Sequence, residues 1–152
     1  MTRVALYELP YFVRNILAAL MLESHKDTAT ILALEGNLGA GKTTFVQTLA
    51  RELGVDEVVQ SPTYVLMKGY PLELSGASAN KKFTKLVHID AYRLESPEEF
   101  DALRPEEFLN DPQTLVVVEW PDKLGTKLPK PDMTLSFSAD DITESERDIV
   151  AV

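Results

Sequence analysis

The chain has no cysteine among its 152 residues, which removes disulfides and thiolate metal sites from consideration. Only two histidines are present, which argues against a zinc site built on imidazoles. Positive charge is scarce too: 15 Lys and Arg against 24 Asp and Glu leave a net charge of −9. Broad adhesion to nucleic acid or to an anionic membrane needs a basic surface and is therefore disfavoured. A protein partner is the easier expectation, with simple solubility as the plain alternative. Long apolar runs are missing as well. None approaches the ~20 residues that a bilayer-spanning helix needs, and "MTRVALYELP" lacks the continuous apolar core of a signal peptide. These absences point to a cytoplasmic protein with no membrane role. Its length fits a single domain over residues 1–152, large enough to bury roughly 68 to 70% of its unfolded surface without a covalent staple.

What is present is concentrated in "LEGNLGAGKTTF", residues 34 to 45. Gly36, Gly41, Lys42 and Thr43 satisfy G-x-x-x-x-G-K-[ST]. Glycines let the backbone curl until successive N–H groups face one hollow where a polyphosphate can accept hydrogen bonds. A helix opening at Lys42 adds the positive end of its dipole, the Lys42 ammonium can reach the terminal phosphates, and the Thr43 hydroxyl can ligate Mg²⁺. The flanks fit: "ATILALE" reads as a buried strand, and "KTTFVQTLARELG" as a helix with Phe45, Val46, Leu49 and Leu53 on one side and Gly54 as its stop.

Along the rest of the chain, "TRVALYEL" predicts a first strand and "LPYFVRNILAALMLES" an amphipathic helix with Pro10 near its start. Phe12, Val13, Ile16, Leu17, Leu20 and Met21 form its inward face. "LELSGASANKKF" is polar and rich in small residues, a hairpin loop before the strand "TKLVHIDAYRL". "SPEEFDAL" predicts a helix with Ser96 as N-cap, Pro97 in its first turn and Glu99 closing a capping box. "QTLVVVEW", "MTLSFS" and "RDIVAV" read as strands, with "PDKLGTKLPKPD" a connecting loop. The expected fold is α/β, a P-loop NTPase-like mixed sheet with parallel strands near the P-loop, antiparallel edge strands and flanking helices.

Hydrolysis needs more than a phosphate cradle: a carboxylate to help hold Mg²⁺ and a group to place the attacking water. "LVHID" delivers Asp90 and "LVVVE" delivers Glu119, each at the carboxyl end of an apolar run, where open α/β sheets carry their ligands. The residues themselves do not rank the two. In "SPTY", Thr63 follows a proline-stiffened turn at a distance where a γ-phosphate sensor can sit.

"GNLGAGKTTF", "SPTY", "HIDAYRL" and "VVEWP", in this order and at these separations, resemble the bacterial TsaE (YjeE) family, from about residue 29 to residue 137. The resemblance implies a small P-loop ATPase needed for threonylcarbamoyladenosine (t6A) formation in tRNA, serving the TsaD and TsaB proteins and meeting tRNA only through them. It implies that Leu38, Gly39, Ala40, Gly41, Lys42, Thr43 and Thr44 bind ATP, with Thr43 and Glu119 as Mg²⁺ ligands. Thr63 would be the switch residue, Asp90 would support water or metal from behind, and Trp120 and Arg147 would complete the nucleotide site. Two departures stand out. The segment "ELSGASANKKFTK", with Lys81, Lys82 and Lys85, is longer than the family's usual connection, and Tyr11 takes a place where a polar residue is more usual.

Two other functions compete. A small-molecule kinase shares the P-loop but needs an arginine-bearing lid, and Arg93 and Arg104 flank an acidic helix instead. A nucleotide-gated binding module would bind ATP with negligible turnover. Guanine specificity is disfavoured, because "NKKF" has Phe83 where the aspartate of N-K-x-D should stand.

Overall fold

The computed structural model describes residues 2–22, 27–60, 66–74, 80, 82–139 and 145–152. Seven strands form one sheet: β1 (Thr2–Ala5), β2 (Thr30–Gly36), β3 (Met67–Pro71), β4 (Lys85–Asp90), β5 (Thr114–Glu119), β6 (Met133–Ser138) and β7 (Glu146–Ala151), in the order β1-β7-β6-β2-β5-β4-β3. The pairs β6/β2, β2/β5 and β5/β4 are parallel, while β1/β7, β7/β6 and β4/β3 are antiparallel. The mixed sheet with parallel centre and antiparallel edges is the one expected. The middle of β5 reads apolar on successive positions because both faces are covered. Leu115, Val116, Val117 and Val118 of β5 are all buried.

On one face lie α1 (Leu9–Leu22) and α2 (Lys42–Glu52), packed on Leu32, Leu34, Leu86, Leu115, Val117 and Leu135. Val13, Ile16, Leu17 and Leu20 of α1 are buried, with Phe12 and Met21 partly so; Phe45, Val46 and Leu49 of α2 are fully enclosed. Enclosing each such aliphatic or aromatic side chain is worth about 1.5–3 kcal/mol, which fixes α2 against β2 more firmly than helix propensity could. The opposite face carries short helical pieces, including α3 (Glu106–Leu109), around Val87, Ile89, Phe100, Phe108, Val116, Val118 and Leu124.

Four boundaries differ from expectation. β4 ends at Asp90 and not at Leu94. β1 ends at Ala5, because the Glu8 carboxylate accepts from the Ala5 N–H at 3.1 Å and closes a 3-10 turn over Leu6–Glu8 before α1 starts. "SPEEFDAL" forms a 3-10 turn over Pro97–Leu103. Its Glu99 does reach back to the Ser96 N–H, at 3.3 Å, but Arg104 at φ 50° precedes Pro105, a residue that disfavours α geometry before it. The loop after β5 contains a further 3-10 piece over Pro121–Lys127, interrupted at Gly125. At the β3/β4 hairpin, residues 75–79 and Lys81 lie outside the described residues. Lys85 belongs to β4, and Lys82 reaches the Thr30 hydroxyl at 3.3 Å.

Candidate functional site

Parallel registry brings the carboxyl ends of three central strands together. Leu34 pairs with Glu119, and Glu119 pairs with Asp90. Above this row the chain leaves β2 at Gly36, whose φ of 138° favours glycine and where a Cβ would fall 2.5 Å from the Phe137 carbonyl oxygen. The loop then turns back, with the Ala40 N–H donating to the Asn37 carbonyl at 3.1 Å, and enters α2 through Gly41. No side chain caps α2 and no acidic residue sits in its first turn, so its leading N–H groups and its positive dipole end face the loop's hollow.

Lys42 is buried, and its ammonium donates to the carbonyls of Gly36 at 2.6 Å and Asn37 at 2.9 Å. Burial pushes it below the ordinary lysine range, while Glu119 and Asp90 pull it back up. The same ammonium stands 4.4 Å from the centre of the Trp120 ring, and Trp120 lies 5.0 Å from the Tyr92 ring. Trp120 holds a left-handed backbone, φ 60°, rare for a bulky residue, and its N–H donates to the Leu34 carbonyl at 3.3 Å. The Thr43 hydroxyl lies 3.3 and 3.4 Å from the two oxygens of Glu119, which is itself buried. Asp90 accepts from the Tyr92 N–H at 3.1 Å. Behind Glu119, the ring of His88 places Nε2 2.8 Å from its Oε1.

A cavity of about 450 Å³ opens over these groups. Its walls include Leu38, Gly39, Gly41, Lys42, Thr43, Thr44, Asp90, Glu119, Trp120 and Arg147, so the residues singled out in four separate stretches of sequence converge. Arg147 comes from β7 and lies against the loop: a Cβ on Gly41 would be 3.0 Å from its Nε. Ala40 is buried beneath the loop and does not line the cavity, and Thr63 lies outside the described residues. Sequence reasoning did not assign Tyr92 and Arg93, which also line the cavity, or His88. The two-residue period of "LVHID" carried the signal for His88, because it puts Leu86, His88 and Asp90 on one face.

A fit with a nucleotide and a divalent ion can be judged from these groups. Among the described residues no group of three or more His, Cys, Asp or Glu could hold a metal. One hydroxyl and one carboxylate, Thr43 and Glu119, instead offer the sparse oxygen set that suits Mg²⁺ when phosphates and water supply the remaining ligands. The uncapped helix start and the buried ammonium suit the phosphates. Asn80 and Phe83, the two ends of the "NKKF" stretch, are fully buried, and the Asn80 amide is spent on the Phe83 backbone at 2.7 and 2.8 Å.

A glycine loop between a central parallel strand and a buried helix, with two strand-end carboxylates beside it, gives the chain a P-loop NTPase-like α/β fold. Residues 13–149 match the family model of the threonylcarbamoyl adenosine biosynthesis protein TsaE, and the chain belongs to that family. Three relatives are each described as tRNA threonylcarbamoyladenosine biosynthesis protein TsaE. That of Haemophilus influenzae is 32% identical, over 79% of this chain and 70% of its own length. That of Bacillus subtilis is 37% identical, over 66% of this chain and 56% of its own. That of Treponema pallidum is 33% identical, over 73% and 74%. The match thus spans little more than half of the Bacillus relative. The solved structure of Bacillus subtilis YdiB superposes with a TM-score of 0.60 at 27% identity, covering 97% of this chain and 80% of that one. No helix among the described residues is long and apolar enough to cross a membrane.

Proposed function

We propose that the chain is an Mg²⁺-dependent ATPase that serves t6A modification of tRNA by acting on TsaD and TsaB, with tRNA met only through them. One observation carries the reading: Thr43 and Glu119, 76 residues apart, meet at 3.3 Å beside the uncapped start of α2 and the buried Lys42. That pairing offers a hydroxyl and a carboxylate of the kind phosphate-bound Mg²⁺ takes as ligands, which supports the reading. Membership of the TsaE family supports the pathway.

In this reading the α2 N–H groups and the loop backbone orient the phosphates, and the Lys42 ammonium leaves the Gly36 and Asn37 carbonyls for phosphate oxygens. Thr43 and Glu119 would hold Mg²⁺, which when bound neutralises charge on the phosphates. Asp90, anchored by the Tyr92 N–H, supports water or the outer sphere of the ion. Arg147 stands over Gly41 to face negative charge, and Thr63 acts as the switch residue. ATP is preferred to GTP, because Asn80 is committed to its own loop. With a net charge of −9 the chain is poorly suited to hold tRNA alone, so the energy of hydrolysis goes into changing the state of a protein partner.

Phosphate release from ATP, measured with Mg²⁺ or with EDTA and with or without TsaD and TsaB, tests this. Slow Mg²⁺-dependent release that the two proteins accelerate is the expected result. Background release under every condition, with ATP-dependent association intact, would make the chain a nucleotide-gated binding module.

A further inference from the structure

His88 is wholly buried in the central sheet, a costly place for a polar ring unless its nitrogens are engaged. One of them is: Nε2 lies 2.8 Å from Glu119 Oε1. The other, Nδ1, has no hydrogen-bond partner among the described residues. A carboxylate offers only acceptors, so the nitrogen facing it carries the hydrogen. A bare lone pair on Nδ1 is also the cheaper atom to leave unpaired, since a buried orphan N–H costs more.

Geometry explains how this ring reaches Glu119. In parallel registry His88 sits beside Val117, and Asp90 beside Glu119. His88 therefore stands one same-face step behind the strand ends, buried in the core and outside the lining of the cavity that Glu119 borders. Thr43 stands on the cavity side, its hydroxyl 3.3 Å from Oε1 and 3.4 Å from Oε2.

We infer that His88 is a positioning residue for Glu119: its Nε2–H pins Oε1 from the core side and so presents the carboxylate to the cation held with Thr43. The inference rests on the proposed role of Glu119 as an Mg²⁺ ligand. Groups that orient a metal ligand in this way change cation affinity by about 10–100-fold when removed. They have little influence on phosphates gripped by backbone N–H groups and Lys42.

The test compares His88→Leu, which removes the donor, His88→Gln, whose amide places an N–H near the position of Nε2, and His88→Asn, whose amide is too short. Mn²⁺ affinity is read by electron paramagnetic resonance with a non-hydrolysable ATP analogue bound, and affinity for that analogue is read separately in EDTA. The expected result is a Mn²⁺ affinity lowered about 10-fold or more in His88→Leu and His88→Asn and largely restored in His88→Gln, with analogue affinity in EDTA near that of the parent in all three. In the double variant with Glu119→Gln, His88→Leu should cost no further Mn²⁺ affinity. Parental Mn²⁺ affinity in His88→Leu, or equal losses in the Gln and Asn variants, would overturn the inference and leave His88 a core residue. If His88→Leu fails to fold, the Gln and Asn pair decides alone. A Glu119→Gln variant that binds Mn²⁺ like the parent would instead overturn the metal assignment itself.

Discussion

Lys42 is pulled in two directions. Burial disfavours its charge while Glu119 and Asp90 favour it, and its ammonium rests on two backbone carbonyls. A phosphate offers a better partner, and a charge-assisted bond of that kind is worth about 1.5–3 kcal/mol. Lys42→Ala should therefore weaken ATP binding by roughly 10- to 150-fold in calorimetric titration, and unchanged affinity would remove the loop from the phosphate site. The two carboxylates should separate as well. In the proposed site Glu119→Gln keeps the shape but loses the negative charge that would hold Mg²⁺, so turnover should fall more than ATP affinity, whereas Asp90→Asn should disturb Mg²⁺ affinity less. The reverse order would make Asp90 the metal ligand. Lys42 and Thr43 were legible in the sequence because their chemistry needs fixed spacing along one loop. The period of β4 puts His88 on the face of Asp90, but its contact with Glu119 was not legible, because it depends on which strand lies next to β4, a fact that no local pattern contains.

The turn from β2 to α2 depends on two glycines in different ways. At Gly36 a methyl group meets the Phe137 carbonyl of β6 and a φ of 138°, whereas at Gly39 it meets open space and only a φ of 78°. Gly36→Ala should lose roughly 2–5 kcal/mol of stability, strain plus overpacking, and Gly39→Ala about 1–2 kcal/mol from strain alone. Urea denaturation of both variants checks the ranking, and equal losses would contradict the close packing of β2 on β6. Strands were readable from the sequence because continuous apolar runs such as "LVVV" mark burial on both faces. The 3-10 pieces were not, since their lengths are set by Pro105 and by Gly125, which interrupt helical geometry that the capping pattern alone would continue.

At the scale of the molecule, the cavity joins groups from the glycine loop, α2, β4, β5 and β7, and the three strands span nearly the whole sheet. A ligand that touches all of them stabilises the folded chain by mass action, about 2.7 kcal/mol at 100 times its dissociation constant. For a protein of this size that corresponds to a rise in Tm of roughly 5–10 °C. Calorimetry should record this with Mg²⁺ and a non-hydrolysable ATP analogue and should lose most of it for Lys42→Ala. No shift in the parent protein would mean that the cavity does not take the nucleotide. The sheet class was legible because apolar strands alternate with helices near the glycine loop. The placement of β7 between β1 and β6, which brings Arg147 over Gly41, follows only from the folded topology.

Trp120 is the chain's single indole, and its ring faces the ammonium of Lys42 at 4.4 Å. Indole emission responds to a charge held close to its π face, so the ring is a native optical gauge of where that ammonium stands. When Lys42 turns toward phosphate the charge leaves the ring, and the emission should change in intensity and wavelength without any attached dye. Lys42→Met should fix the spectrum in a single state that added ATP no longer moves. Rapid mixing of the unmodified chain with ATP would then time the departure of the lysine separately from the later release of phosphate.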